Sequence, residues 1–296
     1  MKYLSATEIA AAWGVTARSV RKYCADGKIP GAYLVGKTWN IPEQAEKPAR
    51  KPRASGKPKT LLAILREQKE ARLPGGIYHR VQIDLTYNSN HMEGSRLTHD
   101  QTRYIFETNT IGVTGDSVNV DDVIETANHF RCIDSVIDHA ARALSEKYIK
   151  ELHLLLKSGT GDSRKSWFSV GDYKKLPNEV GSRETTAPED VHEAIARLLT
   201  DYNAIQNVTF EDIVAFHVRF ERIHPFQDGN GRIGRLIMFK ECLKHNVVPF
   251  IIDERHKLFY YRGLAEWDTE RGYLLDTCLS AQDEFKKVLK YFKIES

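Results

Sequence analysis

The sequence predicts a mainly α-helical protein with one small β-hairpin, preceded by a smaller module of two helices and a hairpin of its own. Three observations lead there. Apolar residues recur at helical spacing over most of residues 60–296; that period breaks in only one stretch, 172–188; and the first sixty residues have a separate charge balance. Residues 1–60 hold 12 Lys/Arg against 4 Asp/Glu while the whole chain carries only +3, so the basic character is local. At 296 residues there is room for a sizeable core and a second module. Cys24, Cys132, Cys242 and Cys278 are scattered, with no Cys-x-x-Cys pair and no histidine cluster at zinc-ligand spacing, which suits a reducing compartment and no structural metal. Glu8 and Trp13 stand where a signal peptide would be apolar, and no apolar run approaches transmembrane length. The expectation is a cytoplasmic protein with no membrane partner.

Taken in order, Ser5 followed by Glu8 is a capping-box pattern that opens a helix through Trp13. Gly14-Val15-Thr16 then turns the chain into a second helix, which Gly27 can end. Arg18, Arg21 and Lys22 stand at i, i+3 and i+4 and project from one face, while Val20 and Tyr23 face inward. "AYLVGKTWNIP" reads as two short strands around Gly36-Lys37, with Pro42 starting another helical turn. Over residues 1–46 this combination resembles the small winged helix-turn-helix domains of excisionase and MerR-type proteins. The resemblance implies DNA as a partner, read by Arg18, Arg21 and Lys22; the competing reading is a solvated amphipathic helix pair. Residues 47–59, "KPARKPRASGKPK", have three prolines, six basic residues and nothing apolar larger than alanine, the composition of a solvated linker.

From Thr60 the helices follow one another: "TLLAILREQKEARL" before Pro74-Gly75-Gly76, then "VDDVIETANHFRCIDSVIDHAARA", and "LSEKYIKELHLLLKSG" up to Gly159. The break at 172–188 carries Pro177, Gly181 and Pro188 and leaves room for a short hairpin; "EDVHEAIARLLTDYN" resumes the helix. Thr209 to Asp212 is a capped helix start, and Ile213, Val214, Phe216, Phe220 and Ile223 carry that helix to His224, where Pro225 disfavours continuing it. Near Gly231 a further helix begins, with Ile233, Leu236, Ile237, Phe239 and Leu243 at helical spacing.

The turn between these helices, "HPFQDGNGRIGR" at 224–235, concentrates chemistry. A glycine-flanked turn feeding a helix N-terminus leaves free backbone N–H groups and the positive end of the helix dipole facing the loop, a ready anion site. Arg232 and Arg235, three apart on the first turn, can reach the same side and give a chain of phosphates successive donors. Asp228 beside bound phosphates is unfavourable unless a cation intervenes, and Mg²⁺ held by one carboxylate and substrate phosphates is the usual solution. His224, able to be neutral near pH 7, can take the proton of an attacking hydroxyl.

That stretch matches at every defined position the signature of the Fic family, His-x-Phe-x-Asp/Glu-Gly-Asn-Gly-Arg-x-x-Arg, with a wider resemblance over about residues 60–290. The family implies a mostly helical Fic fold with a hairpin flap, and transfer of AMP from ATP to a Ser, Thr or Tyr hydroxyl of a protein. By that resemblance His224 is the base, Asp228 holds Mg²⁺, Gly229, Asn230 and Gly231 cradle the phosphates, Arg232 stabilises the leaving group and Arg235 orients the γ-phosphate.

"SNHMEG", residues 89–94, resembles the family's inhibitory-helix pattern. It implies that Glu93 pairs with Arg235 and blocks the γ-phosphate position, with Ser89 holding the segment, so the enzyme is off at rest. In some family members the same glutamate supports removal of AMP. Asn178, Glu179, Val180 and Gly181 resemble the flap that aligns a target segment by strand addition. Tyr261 falls where the family often places a nucleoside contact, whereas His217 and His153 read as structural histidines. The protein itself can serve as target, and a homo-oligomer is a further expectation. A DNA-binding regulator with a nucleotide-sensing Fic domain is the alternative of a different class.

Overall fold

The computed structural model describes residues 2–48, 59–112, 117–181 and 183–295. The chain forms two compact units, Met1–Lys57 and Pro58–Ser296. Most of the expected linker, residues 49–58, lies outside the described residues.

The first unit opens with strand β1 (Tyr3–Ser5), which runs straight into α1 (Ala6–Trp13). Ser5 and Glu8 close the capping box: the Ser5 side chain accepts the Glu8 N–H, and the Glu8 carboxylate accepts the Ser5 N–H at 2.8 Å. Thr16 caps α2 (Ala17–Ala25), and a hairpin of β2 (Tyr33–Val35) and β3 (Thr38–Pro42) follows. The sheet is antiparallel in the order β1-β3-β2. Two features depart from the sequence reading. Pro42 does not start a helical turn; it is the last residue of β3, opposite Tyr3, a strand end where a missing N–H is tolerated. β1 itself, at three residues, is too short for alternation to reveal it. Ile9, Val20, Ile29 and Ile41 form the small core, while Arg18, Arg21 and Lys22 are exposed on α2.

In the second unit α3 (Leu61–Glu70), α4 (Ile77–Met92), α5 (His99–Thr108), α6 (Val120–His139) and α7 (Glu146–Lys157) precede a two-stranded antiparallel hairpin, β4 (Glu179–Val180) and β5 (Arg183–Glu184). After it come α8 (Val191–Asn203), α9 (Phe210–Ile223), α10 (Asn230–Lys244), α11 (Glu254–Ala265) and α12 (Gly272–Tyr291). The hairpin falls where helical periodicity fails. Thr209 and Asp212 cap α9 reciprocally, and Ser145 caps α7, so local sequence sets where both helices start.

The unit is built around α10, which packs against α9, α6, α4, α7 and α3. Every residue from Asn230 to Leu243 is buried. A helix enclosed on all sides has no solvent face to reserve for charge, so its charged residues lie inside and must be paired there. Lys240 and Glu241 pair at 2.8 Å, with the Tyr202 hydroxyl donating to Glu241 at 3.1 Å. The same demand falls on Arg232 and Arg235 near the helix start. Among the described residues no helix is long and apolar enough to cross a membrane.

Candidate active site

The turn between α9 and α10 is tied together by its own hydrogen bonds. His224 ends α9 in the left-handed region, φ 50°, which is uncommon for a residue with a side chain. Its Nδ1–H donates to the Glu221 carbonyl at 3.3 Å, which leaves Nε2 as the basic nitrogen. Burial lowers the His224 pKa, so the imidazole is neutral near pH 7. The buried Phe226 ring stacks on His153, with centroids 3.9 Å apart and planes 6° from parallel. His153 Nδ1 accepts the Gly171 N–H at 2.9 Å, and its Nε2–H donates to the Asp228 carbonyl at 3.2 Å. Burial holds His153 neutral, its pKa lowered to about 3, as that hydrogen-bond pattern requires.

Asn230 closes the loop with a reciprocal pair, accepting the Phe226 N–H and donating to the Phe226 carbonyl, both at 2.8 Å. Its side chain therefore faces inward, and what it offers a ligand is its backbone N–H. Gly229, φ 87°, supplies the left-handed turn, and α10 begins with no side chain capping it. The first intrahelical acceptor is the Gly229 carbonyl, taken by Ile233, so the amides before Ile233 are free of helical partners. The helix starts at Asn230, one residue before the position read from sequence.

Around this loop lies a buried charge cluster. Asp228 Oδ2 accepts from Lys157 Nζ at 2.7 Å and from Arg232 at 3.0 Å. Lys157 also pairs with Glu125, and with Asp162 at 3.1 Å; Glu125 joins Arg232 as well. Burial would raise the Asp228 pKa, but the Arg232 and Lys157 charges outweigh it and hold the carboxyl well below the usual carboxylate range. Two cations sharing one oxygen leave a carboxylate whose side chain is still 45 % exposed beside a helix N-terminus. One accessible hard oxygen next to a phosphate cradle fits Mg²⁺ carried with a polyphosphate. It does not amount to a cage, and among the described residues no group of three or more His, Cys, Asp or Glu could hold a metal by itself.

Arg235 has a separate set of partners. Its Nε donates to Ser89 Oγ at 3.0 Å, and its Nη2 donates to the Ser89 carbonyl at 2.9 Å and to Glu93 Oε1 at 2.6 Å. Glu93 is the C-cap of α4. Its carboxylate lies against Gly231, where an added Cβ would overlap it. The two arginines take different partners: Arg232 pairs with Asp228 and Glu125, Arg235 with Ser89 and Glu93, and the Arg235 guanidinium lies beside Gly231. A buried guanidinium takes the nearest anion, and different helices supply the two. Tyr261 donates its hydroxyl to the Met92 carbonyl at 3.2 Å, which places it at the segment bearing Glu93. Its neighbour Tyr260 is a core residue, 2.6 Å from His217 Nε2.

The hairpin is tied to the same loop. The Lys174 N–H donates to the Pro225 carbonyl at 2.9 Å, and Asn178 Nδ2 donates to the Phe226 carbonyl at 3.0 Å. Asn178 also accepts from Lys174 Nζ at 2.7 Å, so it anchors the hairpin, whereas Glu179 and Val180 are exposed and Gly181, φ 63°, turns it. Lys157, Glu125, Asp162 and Lys174 escape a reading of the sequence. Lys157 looks like an ordinary basic residue in the last turn of a helix, and the others stand in no recognisable spacing.

Residues 143–242, which include the whole 224–235 stretch, match the protein family described as Fic/DOC family. The chain is 26 % identical over 206 residues to the "Protein adenylyltransferase Fic" of Aedes aegypti, covering 68 % of this chain and 38 % of that protein. With the protein of the same name from Nematostella vectensis it shares 26 % identity over 196 residues, 64 % of this chain and 44 % of that one. The chain thus spans less than half the length of these curated relatives. Among solved structures, a Fic-domain-containing signalling protein from Bacteroides thetaiotaomicron aligns with a TM-score of 0.62 at 24 % identity, covering 79 % of this chain and 97 % of that one. A Fic family protein from Desulfovibrio desulfuricans aligns with a TM-score of 0.59 at 22 % identity, over 79 % and 74 % of the two chains. Those likenesses are of fold. With the helix-loop-helix described above, residues 143–242 are similar to the Fic/DOC family in sequence, and the chain is similar in fold to solved Fic-domain structures.

Proposed function

We propose that the chain is an autoinhibited nucleotidyltransferase of the cytoplasm that moves AMP from ATP to a hydroxyl of a protein, and that its first unit is a winged helix-turn-helix that binds DNA. The observation that carries the first part is a neutral His224, its tautomer fixed, on the same loop as the Asp228 carboxylate held by Arg232 and the uncapped, buried helix N-terminus that begins at Asn230. ATP lays its phosphates on the free amides of Asn230, Gly231 and Arg232. Arg235 takes the γ-phosphate in place of Glu93, and Arg232 steadies the charge that grows on the leaving oxygen. His224 Nε2 receives the proton of the target hydroxyl as that oxygen bonds to the α-phosphorus; the bond from the α-phosphorus to the bridging oxygen breaks, and pyrophosphate leaves with the electron pair. Mg²⁺, held by Asp228 and the phosphates, would neutralise phosphate charge. Glu179 and Val180 offer an exposed strand along which a target segment, this chain's own included, pairs. Tyr261, at the edge of the Glu93 segment, contacts the nucleoside.

The resting state is the blocked one, because the Glu93 carboxylate holds the guanidinium that ATP needs. A second reading has one observation in its favour: Glu93 lies against Gly231 inside the cradle, where a carboxylate can activate water to return AMP from a modified protein. The test is label transfer from α-labelled ATP and Mg²⁺ into protein by wild type, Glu93→Gly and Glu93→Gly/His224→Ala in cell extract. Labelling by Glu93→Gly alone supports transfer; no labelling, with release of AMP from pre-modified protein by wild type, favours the reverse reaction. For the first unit, retention of duplex DNA at low salt that weakens as salt rises, and is lost in Arg18→Ala/Arg21→Ala/Lys22→Ala, is expected. Absence of binding at low salt sinks that half.

A further inference from the structure

Lys157 has more carboxylate partners than any other cation among the described residues of the site, and the transfer scheme above gives it no task. Its side chain is 2 % exposed, and a buried lysine persists only when paired. All three ammonium hydrogens have carboxylate partners: Glu125, Asp162 at 3.1 Å and Asp228 at 2.7 Å. Glu125 in turn grips Arg232, so one carboxylate fixes both cations that meet on Asp228 Oδ2. The stem of Lys157 packs beneath Gly229, where an added Cβ would come within 3.8 Å of its Cδ. The ammonium thus sits under the turn that forms the phosphate cradle and touches the one carboxylate positioned to hold a cation.

We propose that Lys157 is a positioning residue of the transfer reaction, a fixed internal cation that turns Asp228 toward the nucleotide and keeps a bare divalent ion off that carboxylate until phosphates arrive. The proposal rests on the nucleotidyl-transfer reading. Without nucleotide, Lys157 and Arg232 both occupy Asp228 Oδ2, so a bare divalent ion has to compete with two fixed cations for that carboxylate. When a polyphosphate settles on the α10 amides, its negative charge draws Arg232, and Asp228, still held by Lys157, becomes a ligand for the cation that the phosphates bring. Metal and nucleotide therefore enter together.

The test reads metal binding apart from turnover. Mn²⁺ is titrated against the full chain by electron paramagnetic resonance without nucleotide, in wild type, Lys157→Met, Lys157→Arg and Lys157→Met/Asp228→Ala. Lys157→Met is expected to bind Mn²⁺ roughly 10- to 100-fold more tightly than wild type. Lys157→Arg should retain the exclusion, and Asp228→Ala should cancel the gain. If Lys157→Met does not fold, Lys157→Met/Asp162→Asn removes one of its three carboxylate partners together with the ammonium and carries the same expectation. Equal Mn²⁺ affinity in wild type and Lys157→Met, or a gain that survives loss of Asp228, overturns the proposal. In the Glu93→Gly background Lys157→Met should also slow labelling, which Lys157→Arg restores in part. Failure of Glu93→Gly to label at all would refute the transfer reading instead, leaving the Mn²⁺ result to stand or fall separately.

Discussion

Replacing Glu93 with glycine removes the one carboxylate that occupies Arg235. The contact is a charge-assisted hydrogen bond of 2.6 Å between side chains 4 % and 27 % exposed, so solvent screens it only in part. Hydrogen bonds to charged groups contribute about 1.5–3 kcal/mol. If ATP binds only when Arg235 is released, its apparent affinity is reduced by the fraction of molecules in that state, and the substitution should tighten ATP binding roughly 10- to 150-fold. Glu93→Gln keeps an acceptor but not the charge, and should recover about tenfold or less. The affinities are measured by calorimetric titration with α,β-methylene ATP and Mg²⁺, alongside initial rates of label transfer at subsaturating ATP. Arg235→Ala added to Glu93→Gly should abolish the gain in both. Unchanged affinity and rate in a folded Glu93→Gly variant would refute the reasoning, since Glu93 would then not limit access to Arg235.

Three further outcomes follow from the same geometry. Burial depresses the His224 pKa, so transfer by Glu93→Gly should be flat near neutrality and fall in acid with a midpoint below the ordinary 6.5; a midpoint above 6.5 contradicts the base assignment. His129, His153 and His217 are likewise lowered by burial, each to about 3, so the stability they contribute is whole above pH 6.5 and is lost as pH falls toward about 3. Thermal unfolding of wild type should lose midpoint over that range more steeply than His153→Gln does. Asn230→Ala deletes both bonds to the Phe226 backbone and should cost about 1–3 kcal/mol by urea unfolding while abolishing transfer, because the loop then no longer holds its shape.

What the sequence discloses here is what lies close together along the chain. Ser5 with Glu8 and Thr209 with Asp212 announce helix starts through contacts three residues long, and Gly229 declares a turn that only glycine takes comfortably. The helix-loop-helix around 224–235 follows from those signals. Glu93 sits 142 residues from Arg235 and is legible only through its resemblance to a known pattern. Glu125, 107 residues from Arg232, and Lys157, 71 residues from Asp228, have no such pattern. Each is a single charged residue on an otherwise ordinary helix, and only the packing of α6 and α7 against α10 reveals what it meets. Asn230 misleads differently: a polar residue in a glycine run reads as a ligand contact, yet its side chain is needed to tie the loop together.

The burial of α10 gives the resting contact a physical reason. A guanidinium in the centre of the unit needs an anion in every state, because removing its partner leaves a buried charge uncompensated. Burial disfavours the charged guanidinium and Glu93 more than offsets that, raising the Arg235 pKa, and an arginine stays charged whether or not Glu93 is seated. With nucleotide bound, a phosphate has to meet the same need. One residue thus links folding to the proposed inhibition: Glu93 stabilises the empty site by satisfying Arg235, and under the proposed reading it obstructs ATP for that same reason. Ser89, which accepts from Nε and leaves the guanidinium only partly satisfied, is the partner that allows Arg235 to survive the exchange. On this argument Glu93→Gly should unfold at a lower temperature than wild type in the absence of ATP and recover most of the difference at saturating ATP and Mg²⁺. A variant that gains transfer activity without losing stability in the empty state would show that Arg235 finds another anion, and the link between the fold and its brake would fail.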